Sequence, residues 1–189
     1  MLKAGIIGLG HGSRVLIDAF ILNKIEVYGI ASKNYSNAKK ISKEKGISKT
    51  YRSWKELVSD TKIDIVAIAV PPRFQIEILK ECLNKNKRVL CEKPLGIDIK
   101  KIDNLLFDIQ KKQKFFFVDY IFQEHEAFKK FYRIINNKRI NKNDYIKINL
   151  NTQTYINKNK IINWKSNSSK GGGIVNFFLS HIIDYLIWF

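Results

Sequence analysis

Three glycines near the amino terminus have the spacing of a loop that can hold a phosphate group. They belong to the run Gly8-Leu9-Gly10-His11-Gly12-Ser13, which lies between a short apolar segment and a predicted helix. Such glycines allow a tight turn and let the backbone approach a pyrophosphate, which the positive end of the following helix attracts. Ser13 stands at the third glycine position and is small enough for close helix–strand packing. An ordinary glycine turn could have the same sequence. The prediction that all six residues form a dinucleotide site therefore rests on the strand before the run and the helix after it.

The end of the second predicted strand bears on which dinucleotide is bound. An acid at this place usually binds the ribose 2′-hydroxyl of NAD. Here the chain reads Ala31-Ser32-Lys33-Asn34, without an acid. Ser32 and Lys33 suit a 2′-phosphate, although a solvated loop lysine is the alternative interpretation. Within the NAD(P) class, the sequence therefore favours NADP.

A lysine follows another predicted strand, in the run Cys91-Glu92-Lys93-Pro94-Leu95. Ligands of open α/β sheets bind outside the carboxyl ends of the strands. Lys93 can donate there to a substrate hydroxyl and favour its alkoxide-like form, whereas a surface turn is the alternative. We interpret Glu92 as a structural or nicotinamide-side neighbour of Lys93 rather than as a general base.

Strands and helices alternate six times before residue 123, which predicts an α/β fold. The pattern is typical of a Rossmann-type, doubly wound parallel sheet with helices on both faces, over residues 1–122. The predicted strands are Lys3–Ile7, Glu26–Ala31, Thr50–Tyr51, Ile63–Val70, Arg88–Cys91 and Phe115–Tyr120. The predicted helices are Ser13–Leu22, Ser36–Lys45, Trp54–Val58, Gln75–Leu83 and one that Asp98 caps and that runs to about Gln113.

The rhythm changes over residues 123–189, where we expect the start of a truncated α+β domain. A helix is predicted at Ala127–Asn136, a strand at Tyr145–Tyr155, and an apolar helix at Ile174–Phe189, after the turn Gly171-Gly172-Gly173. One strand cannot make a sheet, so this unit is expected to be incomplete.

The formal net charge is +17, which at first suggests a polyanionic partner. The lysines are spread along the chain together with many Asn and Ile residues, so we interpret the charge as a compositional bias and a nucleic-acid partner as the less favoured alternative. Anionic small ligands, such as cofactor phosphates or nucleotide sugars, suit the charge equally well. No apolar run reaches the roughly 20 residues that span a bilayer, and the amino terminus lacks the layout of a secretory signal. Cys82 and Cys91 form no metal-like cluster. We expect a cytoplasmic protein without a membrane or metal partner.

Taken together, these motifs resemble those of the Gfo/Idh/MocA oxidoreductases, and the Glu-Lys-Pro piece is the most discriminating. The matching pieces are Gly8-Leu9-Gly10, Ile63-Asp64-Ile65-Val66 with Pro71-Pro72, Arg88 to Leu95, and Gly171-Gly172-Gly173 with His181 and Asp184. The resemblance implies a Rossmann domain followed by an open-faced sheet domain, a sugar-like substrate, and a homo-oligomer for a full-length form. It also implies a cis Lys93–Pro94 peptide, catalytic roles for Lys93 and His181, and a cofactor site that includes Val70, Pro71, Gln75 and Glu92.

The chain departs from the family in three ways. Phe177 stands where the family often has Asp, and Gln75 stands where it often has His. Family members are usually considerably longer, so we expect a fragment or a truncated gene product. The first hypothesis is an NAD(P)-dependent oxidoreductase acting on a hydroxyl or carbonyl group of a sugar, nucleotide sugar or polyol. The alternatives are a cofactor-binding but inactive protein and, third, a basic nucleic-acid-binding protein.

Overall fold

A computed structural model describes residues 1–10, 12–111, 115–137, 143, 145–154 and 158–188. The chain divides into two compact units, Met1–Asp119 and Tyr120–Phe189. The boundary predicted from the sequence lay after residue 122.

The first unit contains a six-stranded parallel sheet in the order β3-β2-β1-β4-β5-β6. This order is that of the doubly wound dinucleotide-binding folds, in which the chain reverses direction across the sheet between β1 and β4. The predicted Rossmann-type fold is therefore confirmed. The strands are β1 (Lys3–Ile7), β2 (Glu26–Ala31), β3 (Lys49–Tyr51), β4 (Ile65–Ile68), β5 (Arg88–Cys91) and β6 (Phe116–Val118).

Five helices cover the two faces of this sheet. One face packs its apolar residues against Ile17, Phe20 and Ala38, and the other face packs against Leu57 and Leu79. Burial on both faces explains why the central strands read as continuous apolar runs. The helices are α1 (Ile17–Leu22), which follows a π-helical turn at Gly12–Leu16, α2 (Tyr35–Lys45), α3 (Trp54–Ser59), α4 (Gln75–Asn84) and α5 (Ile99–Lys111).

Local signals set the ends of these helices. Gly46 terminates α2 in the left-handed region, with φ +66°, as the sequence predicts. The carboxylate of Asp98 accepts a hydrogen bond from the Lys101 N–H and caps α5. The predicted end of that helix at Gln113 lies outside the described residues.

The second unit contains helices α6 (Glu126–Asn136) and α7 (Ser180–Ile187), with a π-helical segment at Val175–Leu179 before α7. The strand predicted at Tyr145–Tyr155 is wrong for residues 145–154, which have no regular structure, and Tyr155 lies outside the described residues. A strand needs a partner for its backbone hydrogen bonds, and the described part of this unit contains none. Among the residues that the structure describes, no helix has both the length and the apolar character that crossing a membrane requires.

Candidate functional site

Gly8 is the sharp turn of the glycine loop, directly after β1. Its φ is +95°, and an added Cβ would lie 2.4 Å from the carbonyl oxygen of Ala69. The Gly8 N–H donates to the carbonyl oxygen of Ala31, at 2.9 Å, and so ties the loop to the end of β2. Both the conformation and the lack of space restrict this position to glycine.

Gly10 and Gly12 differ in what surrounds them. A Cβ on Gly12 would lie 2.9 Å from Cγ2 of Ile6, so this glycine permits the close approach of the first helical turn to β1. A Cβ on Gly10 would meet nothing within 4 Å, and Gly10 is exposed. The open space beside Gly10 is where a phosphate group can approach the backbone. His11, which was predicted to belong to this site, lies outside the described residues.

Ser13 braces the loop. Its hydroxyl donates to the carbonyl oxygens of Leu9 and Gly10, and Nε of Arg14 also donates to the Gly10 carbonyl, at 3.2 Å. The sequence assigned close helix–strand packing to Ser13, but Gly12 is the residue in tight contact with the strand. The Leu9 side chain is buried in the core, so only its backbone is available to a ligand.

A cavity of about 350 Å³ lies beside the loop, at the carboxyl ends of β1, β2 and β4. Four residues predicted to bind cofactor line it, namely Gly8, Ser32, Lys33 and Val70. The β3–α3 connection, α4 and the 3-10 turn before α4 also contribute to the lining, which the sequence did not predict. The lining residues that were not predicted include Arg52, Ser53, Trp54, Phe74, Glu77 and Ile78.

The signal that could have identified Arg52 is its place directly after a strand. In a parallel sheet all carboxyl ends lie at the same edge, so residues that follow β1, β2 and β3 share that edge. The guanidinium carbon of Arg52 lies 4.6 Å from the centroid of the Tyr35 ring, over its face. Arg52 and Lys33 thus supply two exposed cations to the cavity, and Glu77 supplies a carboxylate.

Gln75 does not line this cavity but is fully buried. Its side-chain amide donates to the carbonyl oxygen of Glu92, at 2.7 Å, and its side-chain oxygen accepts from the Gly96 N–H, at 2.8 Å. A longer bond, of 3.4 Å, leads to the carbonyl oxygen of Val70. Gln75 therefore clamps the connection that carries Lys93, with one hydrogen bond before this lysine, at Glu92, and one after it, at Gly96. Pro71, also predicted to bind cofactor, precedes a short 3-10 turn at Pro72–Phe74 that leads into α4.

The Lys93 connection is further fixed to the sheet. The Glu92 N–H donates to the carbonyl oxygen of Ile68, at 2.9 Å, which extends the β4–β5 pairing by one residue. The Lys93–Pro94 peptide is cis, as the resemblance implied. Lys93 is half-buried and Pro94 is buried. The structure thus places Lys93 at the carboxyl edge of the sheet, on a connection held by side-chain and backbone hydrogen bonds.

Glu92 forms a carboxyl pair with Asp119 at the ends of neighbouring strands. Burial raises the pKa of Glu92 to about 7, and the negative charge of Asp119 and a hydrogen bond to it act in the same direction, against the opposing charge of Lys93. The Asp119 N–H donates to the carbonyl oxygen of Cys91, which holds the two strand ends together. Glu92 can therefore gain or lose a proton near neutral pH, next to Lys93.

His181, in the second unit, lies among aromatic rings. The Phe122 ring stacks on the imidazole with the centroids 4.7 Å apart, and the Tyr120 ring meets it edge-on at 5.8 Å. Phe177, which replaces an expected acid, packs against the Trp164 and Phe178 rings. One turn beyond His181, the carboxylate of Asp184 accepts a hydrogen bond from the Gln123 side-chain amide, at 2.8 Å, and burial raises its pKa despite that bond.

Comparison with known proteins places these features in context. A family model described as "Oxidoreductase family, NAD-binding Rossmann fold" matches residues 2–120. An uncharacterized oxidoreductase of Synechocystis sp. is 25% identical over 188 residues, which are 99% of this chain and 51% of the relative. The chain thus spans about half the length of this relative.

Solved structures with the same fold contain either cofactor. A myo-inositol dehydrogenase from Lactobacillus casei, in complex with NAD(H) and myo-inositol, superposes with a TM-score of 0.69 at 19% identity, covering 72% of this chain and 42% of that one. A 3-ketoreductase from Actinomadura kijaniata, in complex with NADP, gives a TM-score of 0.66 at 22% identity, covering 72% and 44%. These likenesses establish the fold of the chain and leave the choice of cofactor open.

Proposed function

This chain belongs to the Gfo/Idh/MocA oxidoreductase family, and we propose that its first unit binds a nicotinamide dinucleotide for redox chemistry at a sugar or polyol hydroxyl group. The observation that carries the proposal is the contrast within the glycine loop. Gly8 and Gly12 are packed against neighbouring atoms, whereas Gly10 is exposed and faces open space, in the same loop as Gly8, which lines the cavity at the strand ends. An exposed backbone with room for a phosphate is what a pyrophosphate needs.

The residues of the proposed cofactor site fall into two groups, those that line the cavity and those that shape the backbone around it. Gly8, Ser32, Lys33 and Val70 line the cavity that would receive the adenosine half. A second group would shape the surrounding backbone. Its members are Leu9, Gly12, Ser13, Pro71 and Gln75, together with Glu92, which lies beside Lys93.

We further propose that the cofactor is NADP rather than NAD. The cavity lacks an acid directly after β2 and has Ser32 and Lys33 there. A carboxylate at this place would repel a 2′-phosphate, whereas a hydroxyl and an ammonium group can donate hydrogen bonds to it. The Actinomadura neighbour was solved with NADP and the Lactobacillus neighbour with NAD(H), so both cofactors are compatible with the fold.

The proposed chemistry assigns one role to each unit. A nicotinamide bound there would accept or supply the hydride. Lys93 would donate a hydrogen bond to the substrate oxygen and favour its alkoxide-like form, and His181 would take up or return the hydroxyl proton. A sugar or polyol fits because its carbinol carbon carries the hydrogen that leaves as hydride, and its hydroxyl oxygen carries the proton that His181 would take up.

A second candidate is a protein that binds the cofactor without turning over substrate. Phe177 favours it, because its ring packs on Trp164 and Phe178 and cannot accept a proton or orient an imidazole. Reduction of NADP or NAD with a panel of sugars and polyols separates the two candidates. Turnover that is lost in Lys93→Ala supports the enzyme, and tight cofactor binding without turnover supports the second candidate.

Gly10→Val tests the cofactor site directly. The variant should retain the stability of the wild type, because nothing lies within 4 Å of the added Cβ. Its affinity for NADPH, measured by fluorescence titration, should fall roughly 100-fold or more, because the branched side chain blocks two or more charge-assisted hydrogen bonds to phosphate.

Gly46→Asn is the matched control for this experiment. It adds a side chain at another open glycine, outside the residues that line the cavity, and Asn tolerates the left-handed conformation. It should bind NADPH like the wild type. A folded Gly10→Val protein with unchanged affinity would contradict the proposed site.

A further inference from the structure

We propose that Arg52 is a specificity-determining residue, whose guanidinium group binds the adenosine 2′-phosphate together with Lys33. The inference rests on the proposed cofactor site. It extends that site to a third strand, since Arg52 follows β3 and Lys33 follows β2.

The sheet register brings the relevant residues into one row. Ile7 of β1 pairs with Ala31 of β2, and Ala31 pairs with Tyr51 of β3. The three strands therefore end at the same level. Because neighbouring strands lie about 4.8 Å apart, the residues that follow them span roughly 10 Å along the edge of the sheet. A ligand with its pyrophosphate at the glycine loop after β1 would extend along this row past Ser32 to Arg52.

The Arg52 side chain is held in place at that edge. Its guanidinium group lies over the Tyr35 ring at 4.6 Å, and Lys39 lies over the same ring at 5.3 Å. A guanidinium group that stacks on an aromatic ring can still donate hydrogen bonds from the N–H groups at its edge. Two of these N–H groups have the spacing to bind two oxygens of one phosphate. The carboxylate of Glu56 accepts a hydrogen bond from the backbone N–H of Arg52. That hydrogen bond does not involve the guanidinium N–H groups.

The balance of charge in the cavity supports a phosphate rather than a hydroxyl group. Lys33 and Arg52 contribute two cations, and Glu77 contributes one carboxylate to the lining. A ribose 2′-hydroxyl would gain little from this excess of positive charge. A 2′-phosphate carries a charge of about −1.5 to −2 at neutral pH, which two cations can neutralise.

The test compares Arg52→Met with the wild type for NADPH and NADH, by fluorescence titration. We expect the affinity for NADPH to fall about 10- to 100-fold, the effect of losing a charge-assisted bidentate contact, and the affinity for NADH to change less than about twofold. Arg52→Lys keeps the charge but not the fork, so it should give an intermediate loss. The matched control is Arg88→Met, since Arg88 lies over the Phe115 ring at the first residue of β5, at the opposite edge of the sheet.

Two mononucleotides isolate the adenosine half. The ratio of affinities for 2′,5′-ADP and 5′-AMP should fall in Arg52→Met by the same factor as the ratio for NADPH and NADH. An unchanged NADPH affinity, or an equal loss for NADPH and NADH, would overturn the role of Arg52 while leaving the dinucleotide site standing. A folded wild type that binds none of the four compounds would overturn the proposed function as well.

Discussion

Replacing Gln75 by Leu should destabilise the first unit considerably, although the new side chain is apolar and similar in size. Gln75 is fully buried, and its side chain is hydrogen-bonded to the Glu92 carbonyl and the Gly96 N–H. Leucine can fill the space but can neither donate nor accept. Both backbone groups would then be left without this partner on the two sides of Lys93.

The expected magnitude follows from those two groups. A buried polar group deprived of its partner costs about 1–3 kcal/mol, so losing both contacts should lower the free energy of unfolding by about 2–6 kcal/mol. For a chain of this size, 1 kcal/mol shifts the melting temperature by about 2–4 °C. Gln75→Leu should therefore melt roughly 4–24 °C below the wild type.

Circular dichroism melts of three variants test this reasoning. Gln75→Glu retains an acceptor for the Gly96 N–H but loses the amide donor to Glu92 and buries an ionisable carboxyl group. It should therefore melt below the wild type at neutral pH and recover stability at low pH, where the protonated carboxyl group can donate. The control is Gln110→Leu, at an exposed position of α5, where the change should stay within about 0.5 kcal/mol. Hydrogen exchange of the Gly96 amide should also accelerate in Gln75→Leu. A Gln75→Leu protein that melts with the wild type, with Gly96 still protected, would refute the clamp.

Two further predictions concern charge. Ser32→Asp should reverse the preference for NADPH over NADH and weaken NADPH binding roughly 10-fold or more, because the added carboxylate would face the 2′-phosphate. Titration of both cofactors tests this, with Ser59→Asp as a control at an exposed position. A wild type that binds NADH more tightly than NADPH would make the NADP proposal wrong. Glu92, whose folded-state pKa is raised to about 7, should contribute stability below pH 4.5 that is lost as the pH rises towards 7. Glu92→Gln should remove this pH-dependent part of the free energy of unfolding, on the order of 1–3 kcal/mol, when urea unfolding is measured from pH 4 to 8. A pH dependence equal to that of the wild type would contradict the proposed protonation of Glu92.

The sequence predicted the first unit well because its sheet is buried on both faces. Continuous apolar runs such as Ile65–Ile68 and Val89–Cys91 leave little choice of structure, and the alternation with helices sets the topology. The helix ends at Gly46 and Asp98 also follow from local chemistry. These features depend on residues close together in the chain, which is why one sequence suffices to find them.

The site was predicted only where its motifs are contiguous. The glycine run and the Lys93 run could each be recognised in isolation, whereas Arg52 and Gln75 act through contacts with distant segments. Arg52 follows a strand of three residues, and its place beside Ser32 depends on the register between β2 and β3. Gln75 occupies the position of a family histidine, but only the folded chain shows that its amide contacts Glu92 and Gly96.

Net charge was a poor guide to individual lysines. Lys87 is 8% exposed, and its ammonium group donates to the backbone carbonyls of Asp60 and Ile63, at 2.7 and 2.6 Å. Burial lowers its pKa. A lysine that satisfies carbonyl groups in this way is a structural element, and nothing in the charge pattern distinguishes it from its solvated neighbours.

The strand predicted at Tyr145–Tyr155 failed for a different reason. Alternating apolar residues indicate a strand only if a neighbouring strand and an apolar surface are available. In the structure Tyr145 is 87% exposed, and Ile146, Ile148 and Leu150 are also exposed. The alternation therefore indicates only that the segment can form a strand beside another strand. The described residues of the second unit include no such strand.

The proposed cofactor binding and the proposed turnover consequently depend on different parts of the chain. The glycine loop, the cavity and the clamp around Lys93 all belong to the first unit, and every contact that defines them lies within Met1–Asp119. The proposed proton transfer needs His181 of the second unit, where the family's usual acid is replaced by Phe177 and the imidazole packs against aromatic rings. A binding measurement therefore tests the first unit regardless of what His181 does. The proposed turnover would additionally require Lys93 and His181 to act on one substrate, so the absence of turnover would not weaken the case for the proposed cofactor site.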